Sequence, residues 1–161
     1  MDEYNVIEVD EMIIGTAADD ELMGTDGSDY IEGGAGIDWL EGGYGDDILI
    51  GSDNFGVGIG EIDVLHGGAG SDLFMVGNNI DGVGHVPFYA GFGDSDYAVI
   101  NDFTAGEDVI LLAGIAEEYS LGSISNDLVS GTGIYWGNEL VAIAAETTIS
   151  DLNTGLDFTM G

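Results

Sequence analysis

Six aspartates recur in step along the first half of the chain: Asp20, Asp29, Asp38 and Asp47 lie nine residues apart, and Asp63 and Asp72 repeat the spacing after a gap. Carboxylates are hard oxygen donors, so a regular series of them can hold a hard cation, while a pair can also serve as acid and base. Composition weighs on that choice. The chain has 32 acidic residues, no Lys or Arg and two His, for a formal net charge of −32. Two carboxylates 4 Å apart repel by roughly 4 kcal/mol at an effective dielectric near 20. Folding must therefore scatter these charges over the surface or recruit cations from solution. Among so many acids, the proximity of two says nothing about glycoside hydrolysis. Neither H-E-x-x-H nor G-x-S-x-G occurs, and His66 and His85 stand alone, His66 as an exposed strand residue. No catalytic constellation is visible, so an enzyme contained within these residues is not expected.

The aspartates belong to a nine-residue unit. Without gaps the units read GTAADDELM from Gly15, GTDGSDYIE from Gly24, GGAGIDWLE from Gly33 and GGYGDDILI from Gly42; GIGEIDVLH from Gly58 and GGAGSDLFM from Gly67 follow a seven-residue break, Gly51 to Val57. The first position is always Gly, the sixth always Asp, and the eighth always large and apolar: Leu22, Ile31, Leu40, Leu49, Leu65 and Phe74. The Gly-rich first six positions predict a tight turn whose carbonyls can face inward. The last three predict a minimal strand with one inward side chain. Two units make one coil of about eighteen residues, and stacked coils place strands roughly 4.8 Å apart. Units two apart then share a side. Asp20, Asp38 and Asp63 form one column, and Asp29, Asp47 and Asp72 form the other. Neighbours within the columns define about four intercoil positions where a cation relieves the repulsion. Ca²⁺ suits them, because it takes six to eight oxygens from carboxylates and carbonyls. Mg²⁺ demands tighter geometry, and softer metals want His or Cys.

These units match G-G-x-G-x-D-x-U-x fully from Gly33 to Glu41, Gly42 to Ile50 and Gly67 to Met75, and partially elsewhere. The chain resembles the RTX calcium-binding family, which implies an all-β, right-handed parallel β-roll. The resemblance implies calcium between coils, held by the six aspartates and by turn carbonyls. Those carbonyls belong to Gly24, Asp26 and Gly27; Gly33, Gly34, Ala35 and Gly36; Gly42, Gly43, Tyr44 and Gly45; and Gly67, Gly68, Ala69 and Gly70. Unit one departs at Ala17 and Ala18, and unit five at Ile59 and Glu61. Ser52-Asp53-Asn54 in the break is either a surface loop or a source of one more ligand.

Around residues 15–75, the expected roll, lie an N-terminal edge segment (1–14) of alternating apolar and acidic residues and a region from 76 to 161. The latter opens with a Gly-rich excursion containing the only Pro. Asp96 to Gly114 reads as strand, turn, strand. It is similar to the serralysin-type run D-F-x-x-G-x-D-x-I-x-L, here Asp102, Phe103, Gly106, Asp108, Ile110 and Leu112, that closes an RTX roll. Asp102 and Asp108 are either a further calcium site or turn caps. Ala113 to Leu121 allows a short helical turn. A hairpin turning at Gly137-Asn138, then Thr147 to Leu152 and Asp157-Phe158-Thr159, predicts an antiparallel C-terminal β layer that covers the open end of the roll and completes a single folding unit. Trp39, Tyr44, Tyr135 and Trp136 are expected in core or hairpin packing.

Several function classes drop out. A chain without basic residues does not grip nucleic acid, anionic membrane surfaces are disfavoured, and no apolar run spans a bilayer. Zero Cys removes disulfides and thiolate metal sites. The acidic N-terminus is not a Sec signal peptide. The resemblance implies an exported bacterial module, secreted or at the cell surface, sent through a type I secretion channel and folding on calcium. Two alternatives stay open: a calcium-dependent adhesin binding polysaccharide or cell surfaces, and the C-terminal part of a secreted hydrolase.

Overall fold

The computed structural model describes residues 8–52, 60–80, 84–90, 95–125, 127, 129–153 and 155–159. Each repeat unit yields one strand, and successive strands fall alternately on two sheets. The first sheet runs β1 (Glu11–Ile14), β3 (Asp29–Gly34), β5 (Ile48–Ser52), β7 (Leu73–Met75), β11 (Val109–Ala113) and β15 (Leu156–Thr159), all neighbours parallel. The second contains β2 (Glu21–Met23), β4 (Trp39–Tyr44), β6 (Ile62–Ala69), β10 (Tyr97–Ile100) and β14 (Glu139–Ala145) in parallel order. Beyond β14 it turns antiparallel through β13 (Ser130–Trp136) and β12 (Tyr119–Ser125). A separate antiparallel pair, β8 (Gly77–Ile80) and β9 (Gly84–Pro87), leaves the roll after β7.

This is a parallel β-roll, and the eighth-position side chains are its spine. Ile31, Leu49, Phe74 and Ile110 stack in register on the first sheet, and Leu40, Leu65 and Ile100 on the second, all fully buried. Each such side chain contributes about 1.5–3 kcal/mol over its exposed state. The ladder continues past the recognisable repeats. Leu156 pairs with Ile110, and buried Ala144 pairs with Ile100. β10, β11, β14 and β15 are therefore further strands of the roll, and the antiparallel layer is an extension of its second sheet.

Several local expectations change. Within 1–14, β1 is an edge strand on β3, and residues 1–7 lie outside the described residues. The helical turn expected after Ala113 is a 3-10 turn at Ala116–Glu118, and Gly137 turns the β13–β14 hairpin at φ 62°. Thr147 to Leu152 is not a strand. Ile149–Leu152 is a helical turn (α1), whose preceding Thr148 hydroxyl accepts the Asp151 N–H at 3.3 Å as an N-cap. Trp39 and Tyr44 are not packed inside. They are 43% and 66% exposed: Trp39 alternates with the inward Leu40 and Gly42, and Tyr44 is the last residue of β4, past the buried positions.

The break in the repeat also shifts. Ser52 pairs with Gly34, and the Gly51 carbonyl lies over Gly33, which in turn lies over Gly15. Gly51 thus holds the first-position place in its coil, and Asp63 the sixth. Gly51 and Asp63 are twelve residues apart, where the first and sixth positions of a unit are five apart. Asp53 and Asn54, the suggested additional ligand, lie outside the described residues, as do Gly58 and Ile59.

Candidate metal centre

Two columns of carboxylates run along the roll in the expected pairing. The Asp20 N–H donates to Asp38 Oδ1 at 2.8 Å, and the Asp38 N–H to Asp63 Oδ1 at 2.8 Å. In the other column the Asp29 N–H donates to Asp47 Oδ1 at 2.8 Å and the Asp47 N–H to Asp72 Oδ1 at 2.9 Å. The Asp72 N–H continues to Asp108 Oδ1 at 3.0 Å, so Asp108 is the fourth member of this column. The first column stops at Asp63, since Ala98 is its partner on the next strand. Peptide N–H groups thus supply what basic side chains would elsewhere, with charge-assisted bonds to one carboxylate oxygen.

In Asp20, Asp29, Asp38, Asp47, Asp63 and Asp108 the second oxygen meets one of three environments, decided mainly by the second position of the unit. Where that residue is Thr, the turn closes on itself. The Thr16 and Thr25 backbone N–H groups donate to Asp20 Oδ2 and Asp29 Oδ2 at 2.6 Å each, with the hydroxyls at 2.8 and 2.9 Å. The Thr104 N–H closes on Asp108 Oδ2 in the same way at 2.7 Å. Where the second position is Gly, at φ 107° for Gly34 and 113° for Gly43, the N–H turns elsewhere. Asp38 Oδ2 and Asp47 Oδ2 are then buried with no hydrogen-bond partner. The third environment is Asp63, whose Oδ2 accepts the fully buried Tyr89 hydroxyl at 2.6 Å.

First-position glycines make room for these oxygens. A Cβ on Gly33 would strike Asp38 Oδ2 and come within 2.5 Å of the Gly51 carbonyl oxygen. One on Gly42 would strike Asp47 Oδ2 and come within 2.5 Å of the Gly67 carbonyl oxygen. Asp38 Oδ2 and Asp47 Oδ2 therefore each share their space with a carbonyl of the next coil, and Asp29 Oδ1 is a third buried oxygen without a partner. Buried, negatively charged, oxygen-only and beyond reach of any basic residue, this donor set fits a hard cation. Among the described residues no three Asp, Glu or His side chains form a metal cage by themselves, so carbonyls must complete the shell.

Burial raises the carboxyls of Asp38, Asp47, Asp63 and Asp72 to about 6 in the metal-free roll, and neighbouring acidic side chains add to the shift. Backbone hydrogen bonds pull each back only partly. Burial also raises Asp108.

The remaining expected ligands divide. The carbonyls of Gly27, Gly43 and Gly45 are overlain by Gly45, Gly68 and Gly70 of the next coils, and the Ala69 carbonyl accepts the Gly45 N–H at 2.9 Å. Gly24 lies under the Gly42 carbonyl, as Gly36 lies over Ala18. Ala35 and Tyr44 hold the coil below through their N–H groups, bonded to the Thr16 and Thr25 carbonyls at 3.1 and 3.2 Å. The Asp26 side chain is exposed. Asp102 is not in either column. It accepts the Gly67 and Gly68 N–H groups at 2.9 and 2.7 Å and lies 3.5 Å from His66. Thr16, Thr25 and Thr104 were legible as T-x-x-x-D spacings, whereas nothing local in sequence marks Tyr89.

The RTX calcium-binding nonapeptide repeat (4 copies) matches this chain at residues 10–40, 23–55 and 58–83. No curated protein matches. Among solved structures, the chain is similar to the solution structure of the AlgE6R3 subunit from the Azotobacter vinelandii mannuronan C5-epimerase, at 26% identity over 94% of this chain and 84% of that one, with a TM-score of 0.49. No helix among the described residues is long and apolar enough to cross a membrane. Residues 10–55 and 58–83, which carry the six repeated aspartates, thus match the RTX calcium-binding nonapeptide repeat, a repeat type that binds Ca²⁺.

Proposed function

We propose that this chain is the calcium-dependent folding module of an exported protein, with its ions held between coils by Asp38, Asp47 and their column neighbours. One observation carries the reading: Asp38 Oδ2 and Asp47 Oδ2 are buried and unpartnered beneath facing carbonyls, in a chain without Lys or Arg. Bound calcium supplies the positive charge that the sequence lacks. The carboxylates repel one another at low cytoplasmic calcium and keep the chain extended, a state suited to passage through a type I channel. Millimolar calcium outside the cell then favours the roll. The expected far-UV spectrum is coil-like in chelator and β-type in millimolar calcium. An unchanged, cooperatively folded spectrum in excess chelator contradicts the proposal.

Proton linkage gives a second expectation. The folded-state carboxyls near 6 lie above their unfolded value of 3.8, so the metal-free roll is favoured by protonation. That contribution is full below the unfolded value and is lost as pH rises through about 6. In chelator the β signal should therefore grow as pH falls from about 7 toward 4, and far-UV spectra across that range check it; a metal-free spectrum that does not change with pH contradicts the burial of these carboxylates.

The exposed Trp39 at the start of β4 favours a second reading, a polysaccharide-binding face carried by the roll. Calcium-dependent retention on an acidic polysaccharide column, lost in Trp39→Ala, supports it; equal retention of the variant removes it.

A further inference from the structure

Among the described residues outside the nonapeptides, one buried carboxylate has no hydrogen-bond partner on either oxygen. Asp96, just ahead of β10, is fully buried, and neither of its oxygens has a hydrogen-bond partner. It sits where the first aspartate column is interrupted. The next strand places Ala98 opposite Asp63, and Asp96 lies two residues upstream of Ala98. Across the sheet, the Tyr97 N–H donates to the Glu61 carbonyl at 3.1 Å, which sets Asp96 beside Glu61. On the other side Ala98 pairs with Ala142, which brings Asp96 level with Leu140, next to Glu139. Asp96, Glu61 and Glu139 thus lie at the same end of three adjacent strands, near enough for the charges of Glu139 and Glu61 to act on the Asp96 carboxyl.

We propose that Asp96, flanked by Glu61 and Glu139, holds one further calcium ion where the repeats give way to the C-terminal strands. A buried carboxylate without partners has two ways to lower its cost, protonation or a cation. Burial and the negative charges of Glu139 and Glu61 raise the Asp96 carboxyl, and its own backbone N–H offsets this only in part. A neutral carboxyl would nevertheless remain a buried donor and acceptor with nothing to bond, a cost of about 1–3 kcal/mol. A hard divalent cation satisfies both oxygens together and removes the repulsion among the three acids. Calcium fits better than magnesium, because its larger, flexible shell accepts scattered carboxylates, carbonyls and water, and these side chains do not form a ready cage. The ion would pin β10 between β6 and β14, so the C-terminal strands become calcium-dependent although they carry no nonapeptide. The identity of the cation rests on the calcium reading of the repeats; the unpartnered carboxylate does not.

The test is a calcium titration of the full chain at pH 7.5, with stoichiometry read by calorimetry for the parent, Asp96→Asn, Glu139→Gln and Asp47→Asn. Asp96→Asn and Glu139→Gln should each remove, or weaken at least tenfold, about one ion while the repeat ions remain. Asp96→Asn with the parent's stoichiometry and affinity overturns the proposal, since an amide mimics a protonated carboxyl. If Asp96→Asn does not fold in millimolar calcium, Glu139→Gln decides: loss of the ion supports the site and retention overturns it. Asp47→Asn separates the two readings. Loss of its ion with Asp96→Asn unaffected overturns only the added site, whereas absence of calcium binding in every protein overturns the repeat reading itself.

Discussion

Asp47→Ala and Asp38→Ala should each abolish most of the calcium-driven folding at one millimolar calcium, while Asp20→Ala should leave it largely intact. Both interior aspartates do two jobs. Oδ1 accepts the N–H of the aspartate one coil below, and Oδ2 faces the carbonyl of the next coil. Alanine leaves a buried N–H unsatisfied at about 1–3 kcal/mol. It also removes an ion whose linkage is worth about 2.7 kcal/mol at a hundredfold excess over its dissociation constant. The sum approaches the 5–15 kcal/mol that holds a typical domain together. Asp20 stands at the open end of its column and is half-exposed, and its Oδ2 is already bonded by Thr16. Asparagine separates the two jobs. Asp47→Asn keeps an acceptor for the Asp29 N–H but removes the buried charge, so it should need more calcium while making the metal-free roll easier to form. Calcium titrations of all four variants followed by circular dichroism would check this; equal midpoints would exclude the two-column arrangement.

Gly42→Ala should be as damaging as loss of the aspartate, although it adds only a methyl group. That methyl would overlap Asp47 Oδ2 and the Gly67 carbonyl, and the carbonyl belongs to a backbone that cannot swing aside. Overpacking typically costs 1–3 kcal/mol, and here it also separates the two oxygens that face the same space. Gly137→Ala is the control. Its φ of 62° penalises a side chain, yet a Cβ there meets nothing within 4 Å, so only the left-handed strain of about 1–2 kcal/mol remains. Thermal melts in saturating calcium should show the larger loss at Gly42, and comparable losses at both sites would mean that the first-position glycine is kept for its backbone alone.

How much of this was legible follows from what the repeat encodes. A strict nine-residue period fixes which aspartates stack, so both columns and the inward ladder from Leu22 to Phe74 could be read directly. The period fades after Met75 because only the inward side chain must persist. Ile100 and Ala144 keep the ladder while Ala98 takes the sixth position, so β10 and β14 look unlike repeats although they pair as repeats do. Position eight is constrained by packing, and position six is constrained only where a carboxylate is needed. At the break both Gly51 and Gly58 satisfy the first position of the pattern; the pairing of Ser52 with Gly34 sets Gly51 over Gly33, a placement the nine-residue period alone does not give. Tyr89 reaches Asp63 from a segment 26 residues away, a contact that only the fold creates. The contrast between Thr-closed and Gly-open turns was written in the second position of each unit. It became meaningful once Oδ2 of Asp38 and Asp47 proved to be unpartnered.

The most direct test of calcium as the missing partner of these buried carboxylates is a calorimetric calcium titration of the chelator-treated chain at pH 7.5, with the far-UV spectrum recorded at each addition. Several ions should bind in the same concentration range in which the β signal develops, with a heat large enough to include folding. A chain already folded before the first addition, and binding no calcium, would contradict it.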